Sequence, residues 1–195
     1  MIAAEILRGD RILPAVRPPV DEKPFMFITV GTDHHPFDRL VRWVDDWYLD
    51  GGMLRARGLM QVGTSRPPRS VEWTDYLRAD EMQATLDLAS VVVCHGGPST
   101  VMQSRRIGFR PIVVPRRQEL GEHVDDHQVQ FSRWLDRDKD VTVVGNDEGL
   151  FRDLLEHAVT DRDAFRGAAA LPDVRASAKR FEGLVDGMFA ARMAS

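Results

Sequence analysis

The run from Val91 to Gln128, VVVCHGGPSTVMQSRRIGFRPIVVPRRQELGEHVDDHQ, limits the possible folds of this chain more than any other stretch. Three valines and Cys94 form a short apolar, β-branched piece, the pattern of a strand buried on both faces of a parallel sheet. His95, Gly96 and Gly97 then supply a turn in which backbone can approach a ligand, and Pro98, Ser99 and Thr100 carry the chemistry of a helix start. The free N–H groups of such a helix and the positive end of its dipole favour an anion. Gln103 follows Ser99 by four residues and shares its helix face, so a nucleotide phosphate at Ser99 would bring its ribose near Gln103. Gly108 closes the helix as a C-cap, Pro111, Ile112, Val113 and Val114 make the next buried strand, and Pro115 ends it. The polar cluster Asp125, Asp126, His127 and Gln128 follows that strand and is expected at the same carboxyl edge of the sheet.

The remainder of the chain repeats the alternation. Phe25 to Val30 predicts a strand, Gly31 and Thr32 a turn, and Phe37, Leu40, Val41, Val44 and Trp47 fall at helical spacing. His34 and His35 sit in the intervening loop, where a metal or general-base role comes to mind. The sequence shows no third ligand at a sensible spacing beside them, so no metal site is expected. Leu59 to Gly63 reads as a second strand. Asp80 is the expected N-cap of a helix whose buried face holds Met82, Leu86 and Ala89. Trp73, Tyr76 and Leu77 suit either the core or the neighbourhood of a nucleotide base. Val129, Phe131, Trp134 and Leu135 mark a further helix, Val141 to Val144 the last strand, and Leu150, Leu154, Leu155 and Ala158 another helix. These segments divide into an N-terminal arm or linker at 1–24, rich in proline, a Rossmann-like domain at 25–170 and a C-terminal amphipathic helix at 171–195. In that helix Phe181, Leu184, Val185, Met188 and Phe189 form one stripe, suited to packing on the domain or to docking on a partner.

Composition narrows the function. With 195 residues and 43% hydrophobic content, the chain can bury one substantial core. A formal net charge of -4 gives no reason to expect nucleic-acid binding. Locally, Arg105, Arg106, Arg110, Arg116 and Arg117 gather near the expected anion site, as a solvated face or as a phosphate or anionic-lipid contact. Cys94 is the single cysteine, so no internal disulfide can form and a cytosolic setting is the inference. No run of about 18 apolar residues is present, so no membrane span is expected.

Four segments, FITVGT with FDRL after it, QVGTS at 61–65, LASVVVCHGGPSTV, and PIVVPR followed by DDHQ, stand in an order and spacing that resembles the C-terminal, nucleotide-sugar-binding domain of glycosyltransferase family 28, in its short stand-alone form. The resemblance implies one half of a GT-B architecture: an α/β, Rossmann-like parallel sheet with helices on both faces. It implies that His95, Gly96, Gly97, Ser99 and Thr100 hold the diphosphate of a UDP-sugar, and that Asp126, His127 and Gln128 contact the transferred sugar. Gly31 and Thr32 complete the expected substrate-binding set. The family usually places glutamate where this chain has Gln103, and an amide accepts the ribose hydroxyls without charge assistance. Arg116 and Arg117 would suit a uronate on the donor.

A chain of this length supplies one of the two GT-B domains. The resemblance therefore implies a donor-binding subunit of an inverting glycosyltransferase, nearly inactive alone, that joins a membrane-associated partner carrying a polyprenyl-linked acceptor at the inner face of the membrane. It implies no cofactor. A UDP-sugar-binding module without activity, a UDP-sugar 2-epimerase-like protein, and a Rossmann domain for another anion are the alternatives.

Overall fold

A computed structural model describes residues 23–136, 142–143 and 147–167. The expected 171–195 helix and residues 1–22 of the expected arm lie outside the described residues. Six strands form one sheet: β1 (Phe25–Thr29), β2 (Arg57–Gln61), β3 (Glu72–Thr74), β4 (Val91–His95), β5 (Ile112–Val114) and β6 (Thr142–Val143). Their order is β3-β2-β1-β4-β5-β6 and every pairing is parallel. Among the described residues four α-helices lie between strands, α1 (Asp38–Leu49), α2 (Ala79–Leu88), α3 (Pro98–Arg106) and α4 (His127–Asp136), and α5 (Glu148–Thr160) follows β6. This is the expected Rossmann-like sheet. Its strand order reverses between β1 and β4, which places a crevice outside the carboxyl ends of those two strands.

Both faces of the sheet are covered, which explains why its strands read as continuous apolar runs rather than alternating ones. Met26 and Ile28 point into a core shared with Leu40, Val44 and Trp47 of α1 and Phe151 and Leu155 of α5. Phe25 and Phe27, on the opposite pleat, meet Leu86 of α2. Cys94 and Val113 meet Val101 of α3 and Leu135 of α4. Burial pushes the Cys94 thiol up to about 12, so this side chain is a core atom and not a nucleophile.

Several local expectations change. Arg78, not Asp80, is the N-cap of α2; its backbone N–H donates to Glu81 Oε2 at 2.8 Å, while Asp80 pairs with the Arg78 guanidinium. Ile107 caps α3, and Gly108 follows with φ 84, the left-handed step that ends the helix. On α5 the buried face is Phe151, Leu155 and Ala158, and Leu150 is exposed. Trp73 and Tyr76 are exposed on and beside the edge strand β3 and belong to no core. Among the described residues no helix is long and apolar enough to cross a membrane.

Candidate functional site

The crevice between β1 and β4 is built from two glycine turns locked together by one ring. After β1 the chain turns at Gly31, which has φ 85, a conformation other residues adopt only with strain. Thr29 Oγ1 accepts the Gly31 N–H at 3.1 Å and the Gln61 side-chain amide at 3.2 Å, while Gln61 Oε1 accepts from Leu77 N–H. Ser65 Oγ accepts the Phe37 N–H at 2.7 Å. The QVGTS segment thus shapes the β1 turn from beneath. The His95 imidazole lies between the two turns: a Cβ on Gly31 would fall 2.5 Å from His95 Cε1, and one on Gly97 would overlap the same ring.

α3 opens where these turns meet. Gly97 is its N-cap, Pro98 stands in its first turn, no side chain caps it and no acidic residue lies in that turn. Arg105 and Arg106 occupy its last turn, where cations complement the dipole. The Ser99 and Thr100 N–H groups at its start suit an anion. Gln103 sits one turn along α3 and donates through Nε2 to Gln83 Oε1 at 3.3 Å.

α4 brings the second cluster to the same place. A Cβ on Gly96 would lie 3.0 Å from Gln128 Cβ and 2.9 Å from Ser132 Oγ, so only glycine lets the loop seat against α4. Gln128 is buried and its Oε1 accepts the Arg116 N–H at 3.2 Å. That bond uses one of the two acceptor positions of the Gln128 carbonyl oxygen. Asp126 Oδ1 accepts the Gln118 N–H at 3.0 Å. His127, the first residue of α4, pairs its Nδ1 with Asp125. Thr32 and Ser99 are exposed at the mouth, with Thr100 half-buried.

Arg116 corrects the sequence reading. It is 0% exposed, and its guanidinium donates to the carbonyls of Val30 at 2.8 Å, His35 at 2.5 Å and Glu122 at 2.9 Å. It braces the loops and does not greet a uronate. Arg117 pairs with Glu119 at 2.8 Å. The sequence reading also overlooked Asp33. Its Oδ1 accepts from His35 Nδ1 at 2.6 Å, and its Oδ2 lies 3.5 Å from His123 Nε2. Desolvation raises the Asp33 carboxyl, but hydrogen bonds from the His35 backbone N–H and ring, with Arg116 and His123 nearby, hold it at about 2. The sequence signals for this cluster were His34 and His35 beside Asp33, which the sequence reading noted, and the run Glu122, His123, Val124, Asp125, of which it took only Asp125 and the residues after it.

An open groove of about 670 Å³ runs beside the crevice, between α1, the 66–69 loop and Leu120–Glu122. No residue of the 95–100 loop lines it. The turn glycines, the helix start and the α4 polar residues converge in the crevice and not in this groove.

A parallel sheet of this order, with a glycine cradle at its reversal and a polar helix start beside it, agrees with the match to known families. Residues 58–142 match the glycosyltransferase family 28 C-terminal domain. The matched stretch begins in β2 and ends in β6, and it contains the 95–100 loop and α4. A curated relative is the UDP-N-acetylglucosamine–N-acetylmuramyl-(pentapeptide) pyrophosphoryl-undecaprenol N-acetylglucosamine transferase of Verminephrobacter eiseniae, 39% identical over 56 residues, which is 29% of this chain and 14% of that protein. Acinetobacter baumannii MurG superposes with a TM-score of 0.54 at 16% identity, covering 75% of this chain and 44% of its own. The solution structure of ALG13 superposes with a TM-score of 0.52 at 16% identity, covering 77% of this chain and 91% of ALG13. The match thus spans a small part of the Verminephrobacter protein, less than half of MurG and nearly all of the ALG13 chain. The structural neighbours are GT-B glycosyltransferases, and the fold here is that of one half of the architecture.

The wedged ring has a measurable consequence. Burial pushes the His95 imidazole down to about 4 from its ordinary 6.5, with the Arg116 charge acting in the same direction. Between those values the unfolded chain takes up a proton that the folded chain refuses, so stability falls as pH drops from 6.5 towards 4. The expected loss is roughly 3 kcal/mol. Urea midpoints measured across that window should decline in the native chain and much less in His95→Gln. Equal slopes in the two proteins would remove His95 as the cause.

Proposed function

We propose that this chain is the donor-binding half of an inverting glycosyltransferase, taking a UDP-sugar and acting with a second protein that carries the acceptor. One observation carries the reading: the uncapped, acid-free start of α3 opens at the strand-order reversal, against the glycine turn after β1. Likeness to the family 28 domain and to the Verminephrobacter transferase, whose name specifies an N-acetylglucosamine transfer, supports the donor class. Gly96, Gly97, Ser99 and Thr100 hold the diphosphate, His95 sets the turn, Gln103 accepts a ribose hydroxyl through its free carbonyl oxygen, and Asp126, His127 and Gln128 face the sugar with Gly31 and Thr32.

In transfer, the acceptor hydroxyl attacks the anomeric carbon from the face opposite the leaving group. The bond from that carbon to the diphosphate oxygen breaks as the new glycosidic bond forms, and the hydroxyl proton passes to a base on the partner. Negative charge grows on the departing diphosphate, where preorganised N–H groups stabilise it most. The open groove beside the crevice is the face left for the partner, which is membrane-associated and presents a polyprenyl-linked acceptor.

The test combines calorimetry and transfer. The chain should bind UDP and a UDP-sugar but neither NAD nor ADP, and should transfer sugar to a lipid-linked acceptor only when mixed with its partner. Full turnover by the isolated chain would overturn the subunit reading, and NAD binding in place of UDP the donor. Gln103 favours one second reading, a UDP-sugar-binding module without activity, because its Nε2 is held by Gln83 and its neutral carbonyl meets the ribose without charge assistance. That reading predicts binding and no transfer with the partner present.

A further inference from the structure

We propose that Asp87 and Gln83 of α2 are positioning residues for Gln103, holding its side-chain amide so that the carbonyl oxygen is the end offered to the ribose of the donor. The proposal rests on the reading of the crevice as a donor site. Gln83 Nε2 donates to Asp87 Oδ1 at 2.8 Å, one turn along the same helix. Gln83 Oε1 in turn accepts from Gln103 Nε2 at 3.3 Å, a contact from α2 to α3 between residues 20 positions apart. Asp87 is exposed and the two glutamines are half-buried, so the series starts at a solvated charge and ends at the residue expected to meet the nucleotide.

The direction of both bonds follows from what each group can do. A primary amide presents either its oxygen or its NH2 group, and the two ends are nearly alike in shape, whereas an ionised carboxylate only accepts. Asp87 therefore draws the NH2 end of Gln83, which turns the Gln83 oxygen towards Gln103. Gln103 spends its own NH2 on that oxygen, and its carbonyl is the end left for a ligand. Without the Asp87 anchor the Gln83 amide could sit either way round and Gln103 would follow it. Binding would then have to select one orientation of Gln103 and order its side chain, a cost that the series removes in advance. A glutamine at 103 needs this arrangement and a glutamate would not, because both oxygens of a carboxylate accept.

The experiment measures binding of UDP and of 2′,3′-dideoxyuridine diphosphate to the full chain by calorimetry. Asp87→Ala and Gln83→Ala should each weaken UDP by about three- to tenfold. Both variants should hold the dideoxy analogue as tightly as the native chain does, because only the ribose hydroxyls meet Gln103. Asp87→Ala should cost nothing in a Gln103→Glu background. Asp153→Asn, which neutralises an exposed carboxylate on α5, should change the affinity for neither ligand. Native UDP affinity in both alanine variants would overturn the proposal. So would an equal loss for UDP and the dideoxy analogue, which marks general damage to α2. A native chain that binds no UDP would remove the donor reading and the ribose with it, and the side-chain NH2 resonances of Gln103, recorded without nucleotide, separate that failure from a failure of the positioning. They should move in Asp87→Ala, and unmoved resonances would overturn the positioning itself.

Discussion

Arg39→Ala is expected to destabilise the chain by about 3–5 kcal/mol, the largest effect of any single side-chain truncation considered. Arg39 stands in the first turn of α1, Glu122 in the loop before α4, and their side chains are only 9% and 6% exposed. The pair is bidentate, with Nε to Oε1 and NH2 to Oε2 both at 2.8 Å, and NH2 also donates to the Pro115 carbonyl at 2.9 Å. Alanine leaves the Glu122 carboxylate buried with its main charged partner gone, and an uncompensated buried charge is what makes such breaks costly. For a chain of this size the thermal midpoint should fall by about 10 °C or more. Replacing both residues with methionine should recover most of that loss, because two well-packed apolar chains can match a buried ion pair. A thermal melt of Arg39→Ala within about 1 kcal/mol of the native chain would mean that the pair behaves as a surface contact.

Gly31→Ala should disable the crevice with a smaller cost to the fold. The new Cβ meets two constraints at once: φ 85, where an L side chain is strained, and the His95 ring at 2.5 Å. Strain of this kind costs about 1–3 kcal/mol. Relief requires the ring to move, and the ring also abuts Gly97. The N–H groups of the 95–100 loop then lose their aim, and a misplacement of about 1 Å at such a site can cost about 10²-fold in rate. Partner-dependent transfer should drop to that extent, with circular dichroism unchanged. Gly51→Ala is the contrasting control: it too has positive φ, 102, but nothing lies within 4 Å of its Cβ. It should lose stability and keep its UDP affinity. Equal UDP affinity in Gly31→Ala and the native chain would separate the β1 turn from donor binding.

The strands and helices were legible where hydrophobic spacing alone decides them. Phe37, Leu40, Val41, Val44 and Trp47 repeat at helical period and are all buried in the structure. The β4–α3 unit was legible because glycine, proline and valine each have few backbone options. What spacing could not reveal was which polar residues serve the fold. Arg116 reads as one of five nearby arginines, yet three carbonyls claim it, two from the loop after β1 and one from the loop before α4. Gln128 reads as a ligand and one acceptor position of its amide is spent on the Arg116 backbone. Trp134 helps mark α4 by its spacing and is 54% exposed, because that helix turns Gln128, Ser132 and Leu135 inward. The Asp33–His123 contact joins residues 90 positions apart, a pairing that only the packed loops create.

The account depends most on the amide groups at the start of α3. Titrating isotopically labelled chain with UDP and following backbone amide resonances tests them directly. Saturable shifts concentrated at Gly96, Gly97, Ser99 and Thr100, with Gln103 following as the ribose engages, are the predicted result. Shifts centred on another edge of the sheet, or none at millimolar UDP, would contradict it.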